Sequence, residues 1–160
     1  MQSISPINQM IENKKVITGL YNAYKERNPE LMASFYTKDA SFKDEIFGEV
    51  NGEEIPKVWE IVHSTTSNLF LYFHIINVNK NLATVNSHLS YTFKHTGRKI
   101  DISITSIFRF ENGKIRHQVD EYSLWKWASQ AFGVSGFLLG WNPVFKNKIR
   151  QSAQNNVAGM

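Results

Sequence analysis

Residues 82–111 read LATVNSHLSYTFKHTGRKIDISITSIFRFE, and they contain two runs in which apolar and polar side chains alternate. Alternation of this kind places successive side chains on opposite faces of a β-strand. In the first run, one face carries Ala83, Val85, Leu89, Tyr91 and Phe93, and the other carries Thr84, Asn86, His88, Ser90 and Thr92. The second run, Arg98 to Glu111, has an apolar face that only Ser106 interrupts. A turn at residues 94–97 separates the runs, which therefore predict two neighbouring antiparallel strands.

The flanking segments extend this sheet on both sides. Glu111-Asn112-Gly113 is a strong hairpin signal, so Lys114 to Tyr122 is expected to pair back across it. On the other side, Leu69 to Asn79 is largely apolar on both faces. That composition predicts a strand that is central or buried on both sides.

Helical spacing dominates the first third of the chain. Ile7 to Arg27 is predicted to be a helix, and Asn28-Pro29-Glu30 then combines a capping residue, a first-turn proline and an acidic residue, which predicts a short second helix. A short strand at Ala40 to Lys43, a loop with Gly48 and Gly52, and a third helix at Glu53 to Val62 follow. Helices followed by a strand meander predict an α+β fold with one curved antiparallel sheet around the N-terminal helices.

The C-terminal part is predicted to be helical. Leu124 to Phe132 has helical spacing, and GVSGFLLGWNP at residues 133–143 leads into a basic helix that is expected to fray over Asn155 to Met160. The glycine-rich segment could cover a pocket, pack against a partner or cover the sheet. No linker divides the chain, so residues 1–160 are expected to form a single domain with a core at about 7–132 and an extension at 133–160.

Composition excludes several classes of protein. The 160 residues carry a net charge of +4 without a dense basic stripe, so nucleic-acid binding is not expected. The chain has no cysteine, which excludes disulfides, thiolate metal sites and cysteine nucleophiles. The N-terminus has no secretory h-region and no apolar run has membrane-spanning length, so a cytoplasmic protein without membrane contact is expected.

Two stretches carry a family resemblance. LYNAYKERNPELMASFYTKDASFKDEIFG, residues 20–48, resembles the N-terminal half of the nuclear transport factor 2-like superfamily, especially its ketosteroid-isomerase-like and SnoaL-like polyketide-cyclase members. FRFENGKIRHQVDEYSLWKWASQAFG, residues 108–133, resembles the last hairpin and C-terminal segment of SnoaL-like proteins. The resemblance implies a cone-shaped fold with an apolar pocket, and many members are homodimers. The superfamily includes isomerases, cyclases and non-catalytic binding modules.

The resemblance also implies roles for individual residues. Asp44 matches the aspartate that shuttles protons in ketosteroid isomerases, and Tyr21 lies where those enzymes place a tyrosine that donates to the substrate oxyanion. Their second donor, a protonated aspartic acid, is replaced here by Ser106, which is a weaker acid. Glu45 stands where a proline commonly follows the aspartate. Both departures argue against a strict steroid isomerase.

A second acidic position matches a different branch. Asp120 matches the acid/base residue on the last strand of SnoaL-like cyclases and limonene-epoxide-type hydrolases. Those hydrolases also need an arginine and an aspartate two residues apart, whereas residues 86–90 read NSHLS here. Epoxide hydrolysis by that mechanism is therefore not expected. His88 lies in the same region and is a candidate substitute donor or base.

Each of these residues also has a structural interpretation. Asp44 could accept hydrogen bonds in a solvent-exposed turn, Tyr21 could be a core residue, and Asp120 could pair with Arg109, Lys114 or Arg116. Ser106, as a buried hydroxyl, could point into a cavity or bond to the backbone. Tyr24 and Trp59 are further candidates for contact with a ligand, because aromatic side chains commonly line apolar pockets.

Two functional hypotheses follow, and a third depends on the basic tail. The first is a cofactor-independent isomerase or cyclase in which Asp44 or Asp120 removes a proton next to a carbonyl and Tyr21, Ser106 or His88 stabilises the enolate. The second is a non-catalytic or structural dimer that binds a small hydrophobic molecule or none. The third is partner or nucleic-acid binding through residues 143–160. The five histidines show no metal-binding spacing, so no metal or other cofactor is expected.

Overall fold

The computed structural model describes residues 4–160 and confirms the predicted order of helices followed by strands. The N-terminal helices are α1 (Pro6–Lys25), α2 (Pro29–Ser34) and α3 (Ile55–Thr65). The predicted start of α2 is confirmed, because the side chain of Asn28 accepts a hydrogen bond from the backbone N–H of Leu31 and Pro29 occupies the first turn. The fold is therefore α+β, as the sequence predicts.

The six strands form one curved, unclosed sheet. They are β1 (Tyr36–Asp44), β2 (Gly48–Asn51), β3 (Thr66–Val78), β4 (Leu82–Phe93), β5 (Arg98–Glu111) and β6 (Lys114–Glu121), in the order β2-β1-β6-β5-β4-β3. Four of the five pairings are antiparallel, but β1 pairs with β6 in parallel. The expectation of a purely antiparallel sheet is corrected here, and β2 forms where a loop was predicted. The parallel pairing brings the ends of β1 and β6 together, and with them Asp44 and Asp120.

Strand β3 differs from its prediction. It lies at the edge of the sheet, and the outward-facing side chains of Phe70, Tyr72 and Ile76 are exposed. The prediction of a central strand buried on both sides is wrong for the single chain, because no element among residues 4–160 covers that outer face. Its inner face packs on α1, where Phe73 stacks on Tyr21 with ring centroids 4.4 Å apart.

Helix α1 lies against the inner face of the sheet and is fixed at its N-terminal half by a buried amide. The side chain of Asn13 is fully buried and donates to the backbone carbonyls of Asn79 and Lys80 at 2.9 and 3.1 Å. A buried amide needs such partners, because an unpaired polar group inside a protein is costly. Further along the helix, Ile17 and Leu20 enter the core. The helix is thereby held in one register along the sheet.

The C-terminal extension folds back onto the domain as α4 (Leu124–Phe132), α5 (Val134–Leu139) and α6 (Pro143–Ala158). The expected fraying over Asn155 to Met160 is corrected, because α6 continues to Ala158 and Val157 is buried. Helix α5 sits directly on α4, since a Cβ on Gly136 would lie 1.8 Å from the carbonyl oxygen of Ala128. Within residues 4–160, the helices are too short or too polar to cross a membrane.

Candidate functional site

A cavity of about 430 Å³ opens between the inner face of the sheet, α3 and the C-terminal helices. Its walls are mainly apolar and aromatic, which is typical of sites for small hydrophobic ligands. The deep walls include Tyr24, Phe42, Val58, Trp59, Leu89, Tyr91, Ile102 and Ile104. Two carboxylates, Asp44 and Asp120, share this space. The exposed lining residues mark the opening, and they are His95, Ser135, Lys148, Ser152 and Asn156.

Asp44 is the last residue of β1. The sequence left open whether it accepts hydrogen bonds in a turn or lies in a pocket, and the structure shows both features. Its Oδ1 atom accepts hydrogen bonds from the backbone N–H groups of Ile46 and Phe47 at 3.0 and 2.5 Å, as in a capped turn. Its Oδ2 atom accepts from the hydroxyl of Tyr122 at 2.9 Å. The pKa of Asp44 is raised to about 7, chiefly by burial and also by the nearby charge of Asp120, although these hydrogen bonds act to lower it. The carboxyl is therefore part of a turn and also faces the cavity.

Asp120 lies on β6, next to Ser106 of β5. Its Oδ1 atom accepts from the side-chain amide of Gln118 at 2.9 Å, and that amide's oxygen accepts from the hydroxyl of Tyr36 at 2.5 Å. Burial raises the pKa of Asp120 to about 6, although hydrogen bonds from Gln118 and Ser106 favour the ionised form. The alternative interpretation, in which Asp120 pairs with Arg109, Lys114 or Arg116, is not what the structure shows, and Arg116 pairs with Asp39 and Glu111 outside the cavity.

Tyr24 and Trp59 line the cavity, in the positions expected of ligand-contacting residues. Their rings lie 5.7 Å apart, and Trp59 also packs against Phe42 at 5.2 Å. Burial raises the pKa of Tyr24 well above its ordinary value, and the charges of Asp120 and Asp44 add to that rise. Its phenol is therefore neutral at physiological pH and available as a hydrogen-bond donor beside both carboxylates.

Tyr21 and Ser106 lie behind the cavity wall rather than on it. Both are buried, and the Tyr21 hydroxyl donates to the Ser106 hydroxyl at 3.2 Å. The phenol of Tyr21 stacks on Phe73, so that its ring is part of the core. Ser106 also contributes a hydrogen bond to Asp120, so Tyr21 acts on that carboxyl only through Ser106. Their geometry suits a supporting role more than direct donation to a ligand.

His88 lies on the opposite face of the sheet from the cavity. Its ring stacks on Tyr72 at 5.2 Å, and its Nε2 atom is 3.3 Å from Oδ2 of Asp101. The expectation that His88 replaces a missing donor in the pocket is corrected by this placement. The physical reason is the alternation of β4, which directs His88 outward because its neighbour Leu89 faces the cavity.

Three features of the site were not predicted from sequence. Tyr122 could have been found, because it follows Asp120 by two residues and strand alternation gives both the same face. Tyr91 was assigned to the correct face of β4, but its hydroxyl also accepts a hydrogen bond from the Trp127 indole at 2.9 Å, which ties α4 to the cavity wall. The third feature is the contribution of α6, which no local sequence signal indicates.

Helix α6 forms the outer wall of the cavity through Phe145, Ile149 and Ala153. It is attached to the turn that holds Asp44. Arg150 donates to the backbone carbonyl of Glu45 at 2.9 Å and pairs with the Glu45 carboxylate at 3.2 Å. Gln154 donates to the carbonyl of Phe47 at 3.0 Å. The C-terminal extension is therefore part of the pocket.

The arrangement is suited to proton transfer at neutral pH. Two carboxyls with raised pKa values share an apolar cavity, so that one can accept a proton from a bound molecule near pH 7. The neutral phenol of Tyr24 can donate to an oxygen on the same molecule.

Among residues 4–160, no group of three histidine, aspartate or glutamate side chains is arranged to hold a metal ion.

Comparison with known structures shows the fold. A protein from Jannaschia sp. CCS1 assigned as a SnoaL-like polyketide cyclase has a TM-score of 0.68 at 14% identity, covering 83% of this chain and 99% of its own. A protein from Catenulispora acidiphila with a ketosteroid-isomerase-like fold, in complex with trimethylamine, has a TM-score of 0.65 at 17% identity over 72% of this chain and 91% of its own. A protein from Xanthomonas campestris that is assigned as a polyketide cyclase has a TM-score of 0.65 at 12% identity, covering 77% of this chain and 98% of its own. These identities show the fold alone.

The sequence itself also matches a family model. No curated protein gives a significant match to the chain. The model of the SnoaL-like domain matches residues 17–118, from α1 to β6, and leaves helices α4 to α6 outside the matched range. That range exceeds half of the chain and includes Asp44, Tyr24 and most of the sheet. The chain therefore belongs to the SnoaL-like domain family.

Proposed function

We propose that this protein is a cofactor-independent acid/base catalyst that binds a small hydrophobic carbonyl compound and isomerises or cyclises it. The observation that carries the proposal is the pair of carboxyls with raised pKa values in one apolar cavity. A buried carboxyl with a raised pKa lowers the stability of the folded protein, and such carboxyls are frequent in active sites that transfer protons. The names of two structural neighbours, assigned as polyketide cyclases, agree with this reaction class.

The proposed reaction begins with proton removal. Asp44 accepts a proton from the carbon next to the ligand's carbonyl, the C–H electron pair moves into the new enolate, and the carbonyl oxygen becomes negative. Tyr24 donates a hydrogen bond to that oxygen, and Asp120 stays ionised near Asp44, where its charge helps to keep the pKa of Asp44 raised. Return of the proton from Asp44 to a different carbon of a conjugated enolate gives an isomer. Attack of the enolate carbon on a second carbonyl of the same molecule forms the new C–C bond of a ring, and the alkoxide left on that carbonyl takes the proton from Asp44. The Tyr122 hydroxyl holds Oδ2 of Asp44 in place.

Asp44 is preferred as the base because of its pKa. A base is most effective when its pKa lies near the working pH, and burial brings that of Asp44 to about 7. Asp120 has a lower pKa of about 6 and hydrogen bonds from Gln118 and Ser106. It is therefore suited to remain ionised and to raise the pKa of its neighbour.

The test is proton exchange on an enolisable ketone. The chain is incubated in deuterated water with 2-tetralone, and loss of the α-proton signal is followed by NMR. We expect Asp44→Asn to slow enzyme-dependent exchange by about a hundredfold or more, because general-base catalysis contributes on that scale. Asp101→Asn, on the outer face of the sheet, is the matched control and should leave the rate unchanged. Exchange that is the same in Asp44→Asn, Asp120→Asn and the unmodified chain would contradict the mechanism.

The second candidate is a non-catalytic binding module of the same fold. It is favoured by the pairing of Tyr21 with Ser106 away from the cavity, which removes the expected oxyanion donors from direct contact with a ligand. A binder should gain thermal stability from 2-tetralone without exchanging its protons. Retained ligand stabilisation with no enzyme-dependent exchange in the unmodified chain would select this alternative over the enzyme.

The homodimer expected from the family resemblance is also proposed for this chain. The support is the exposed apolar outer face of β3, where Phe70 is 62% exposed beside Tyr72 and Ile76. A second copy packed on this face would account for a strand that is apolar on both sides. Size-exclusion chromatography with light scattering tests it, and Tyr72→Lys should convert the dimer to a monomer. A monomer in the unmodified chain at micromolar concentration would contradict it.

A further inference from the structure

Six large apolar side chains of the C-terminal extension are exposed on α5, in the turn after it and at the start of α6. Val134 is 76% exposed and Trp141 is 66% exposed, and the full set, called here the C-terminal patch, is Val134, Phe137, Leu138, Leu139, Trp141 and Val144. Exposed apolar residues that occur singly need no explanation, whereas a contiguous group marks an interaction surface. None of these six side chains belongs to the buried core.

The exposure of the C-terminal patch is built into the fold. Gly136 allows α5 to approach the backbone of α4 closely, since any Cβ there would meet the Ala128 carbonyl. The Trp125 indole donates to the carbonyl of Phe137 at 3.0 Å and its ring packs on the Phe137 ring at 5.4 Å. The Asn142 side chain caps α6 by accepting from the Val144 N–H. These contacts fix the backbone of the patch with its apolar side chains pointing into solvent.

The charge around the patch is positive. Residues 122–160 contain four lysines and arginines and no aspartate or glutamate, while the remaining residues are balanced, so this segment accounts for the whole net charge of +4. Arg98 and Lys99 border the patch, because they share a surface depression with Val134 and Phe137. On α6, Lys148 lies one helical turn beyond Val144, on the same side. The patch therefore has an apolar centre and a basic rim.

We propose that the C-terminal patch docks this protein onto the surface of an anionic lipid bilayer. Leu138, Leu139 and Trp141 would enter the boundary between headgroups and acyl chains, and the basic rim would contact anionic headgroups. Tryptophan is suited to this boundary, because its ring is apolar and its indole N–H is polar. The proposal departs from the expectation from sequence that the protein makes no contact with a membrane.

The docking surface lies where the cavity opens. Ser135 of α5 and Lys148 of α6 both line the cavity at its exposed end. An apolar cavity that opens beside a docked surface can take up a hydrophobic ligand dissolved in the bilayer. That consequence rests on the proposed function, whereas docking itself does not.

Vesicle flotation of the full chain tests the proposal. Vesicles of phosphatidylcholine alone are compared with vesicles that also contain phosphatidylglycerol, at low and high salt. We expect the chain to float with the anionic vesicles and to be released by salt, since the basic rim contributes through screened electrostatic attraction. The double substitution Leu138→Gln with Trp141→Gln should lower the partition coefficient by about tenfold or more, because it removes the apolar anchors.

Two further variants separate docking from other effects. Ile7→Gln with Ile11→Gln replaces exposed apolar residues on α1, at the other end of the sheet from the patch, and should float like the unmodified chain. Lys99→Gln with Lys148→Gln should lose the preference for anionic vesicles. Failure of the unmodified chain to float at low salt would overturn the proposal, and so would unchanged flotation of Leu138→Gln with Trp141→Gln. A fall in oligomeric mass in that variant, without vesicle binding by the unmodified chain, would assign the patch to contact between copies.

Discussion

The hydroxyl of Tyr122 lies 2.9 Å from Oδ2 of Asp44 and joins the residue after β6 to the last residue of β1. This hydrogen bond favours the ionised carboxylate, in opposition to the burial that raises its pKa to about 7. The contact exists because β1 and β6 run parallel, so that both strands end at the same edge of the cavity.

The first prediction concerns this contact. Tyr122→Phe removes the donor and keeps the ring, so the pKa of Asp44 should rise above about 7. Activity that needs the ionised base should then require more alkaline solution, and the acid limb of the kcat/KM profile for proton exchange should move up by about one pH unit. A lower rate with an unmoved acid limb would instead indicate a purely structural role for Tyr122.

The second prediction concerns the stability cost of Asp120. Its pKa is about 6 in the folded protein, above the ordinary value of 3.8 for an aspartate carboxyl, so the folded state binds more protons between these two pH values. The free energy of unfolding contributed by this group therefore falls as the pH rises from about 4 to about 6, and stays low above that. Asp120→Asn should stabilise the protein at pH 8 by up to about 3 kcal/mol and much less at pH 4.

Denaturant unfolding at the two pH values measures this difference. Asp101→Asn is the control, because that carboxylate lies on the exposed outer face beside His88. A stabilisation by Asp120→Asn that is equal at both pH values would mean that the effect does not come from the buried charge.

The third prediction separates two tyrosines. Tyr24 lines the cavity, whereas Tyr21 is bonded to Ser106 behind the wall. Tyr24→Phe should lower the rate of proton exchange by about a hundredfold with little change in ligand affinity, because it removes a donor to the developing enolate. Tyr21→Phe should cost about 1 kcal/mol of stability through the lost buried hydrogen bond and change the rate only slightly. If Tyr21→Phe lowered the rate more than Tyr24→Phe, Tyr21 would be the donor to the enolate instead.

The fourth prediction concerns the attachment of α6. Arg150 and Glu45 form a partly exposed pair that is strengthened by the bond from Arg150 to the Glu45 carbonyl. A double-mutant cycle with Arg150→Gln and Glu45→Gln should give a coupling energy of about 0.5–1 kcal/mol that decreases at high salt. Hydrogen exchange of the α6 amides should accelerate in Arg150→Gln. No coupling and unchanged exchange would show that α6 is held by its apolar contacts alone.

Much of the fold follows from local patterns in the sequence. The alternation over residues 82–111 and the Asn-Gly turn at residues 112–113 predict β4, β5 and β6, because each depends on neighbouring residues only. The cap at Asn28 and Pro29 predicts α2 for the same reason. Strand β3 was placed wrongly, since apolar residues on both faces do not distinguish burial by the same chain from an outer face that this chain leaves open.

The candidate site was predicted only in part. Asp44 and Asp120 were identified through the family resemblance, and both line the cavity. His88 was kept as a candidate for the pocket, although the alternation of β4 already places it on the opposite face from Leu89 and Tyr91. The same alternation, continued past the end of β6, would have placed Tyr122 on the same face as Asp120. The role of Tyr21 depended on how far α1 is rotated against the sheet, which the helical spacing of its apolar residues does not determine.

The sequence by itself determined the types of most elements, the α+β class and the cap of α2, because these depend on propensity, period and short-range hydrogen bonds, and its resemblance to known members indicated the family. Only the tertiary structure decided that β1 pairs in parallel with β6, that Tyr24 rather than Tyr21 reaches the cavity, and that α6 closes its outer wall. Those features join residues about a hundred positions apart, as in the contact of Arg150 with Glu45. They arise from the packing of whole elements, and the raised pKa values of Asp44 and Asp120 are its consequence.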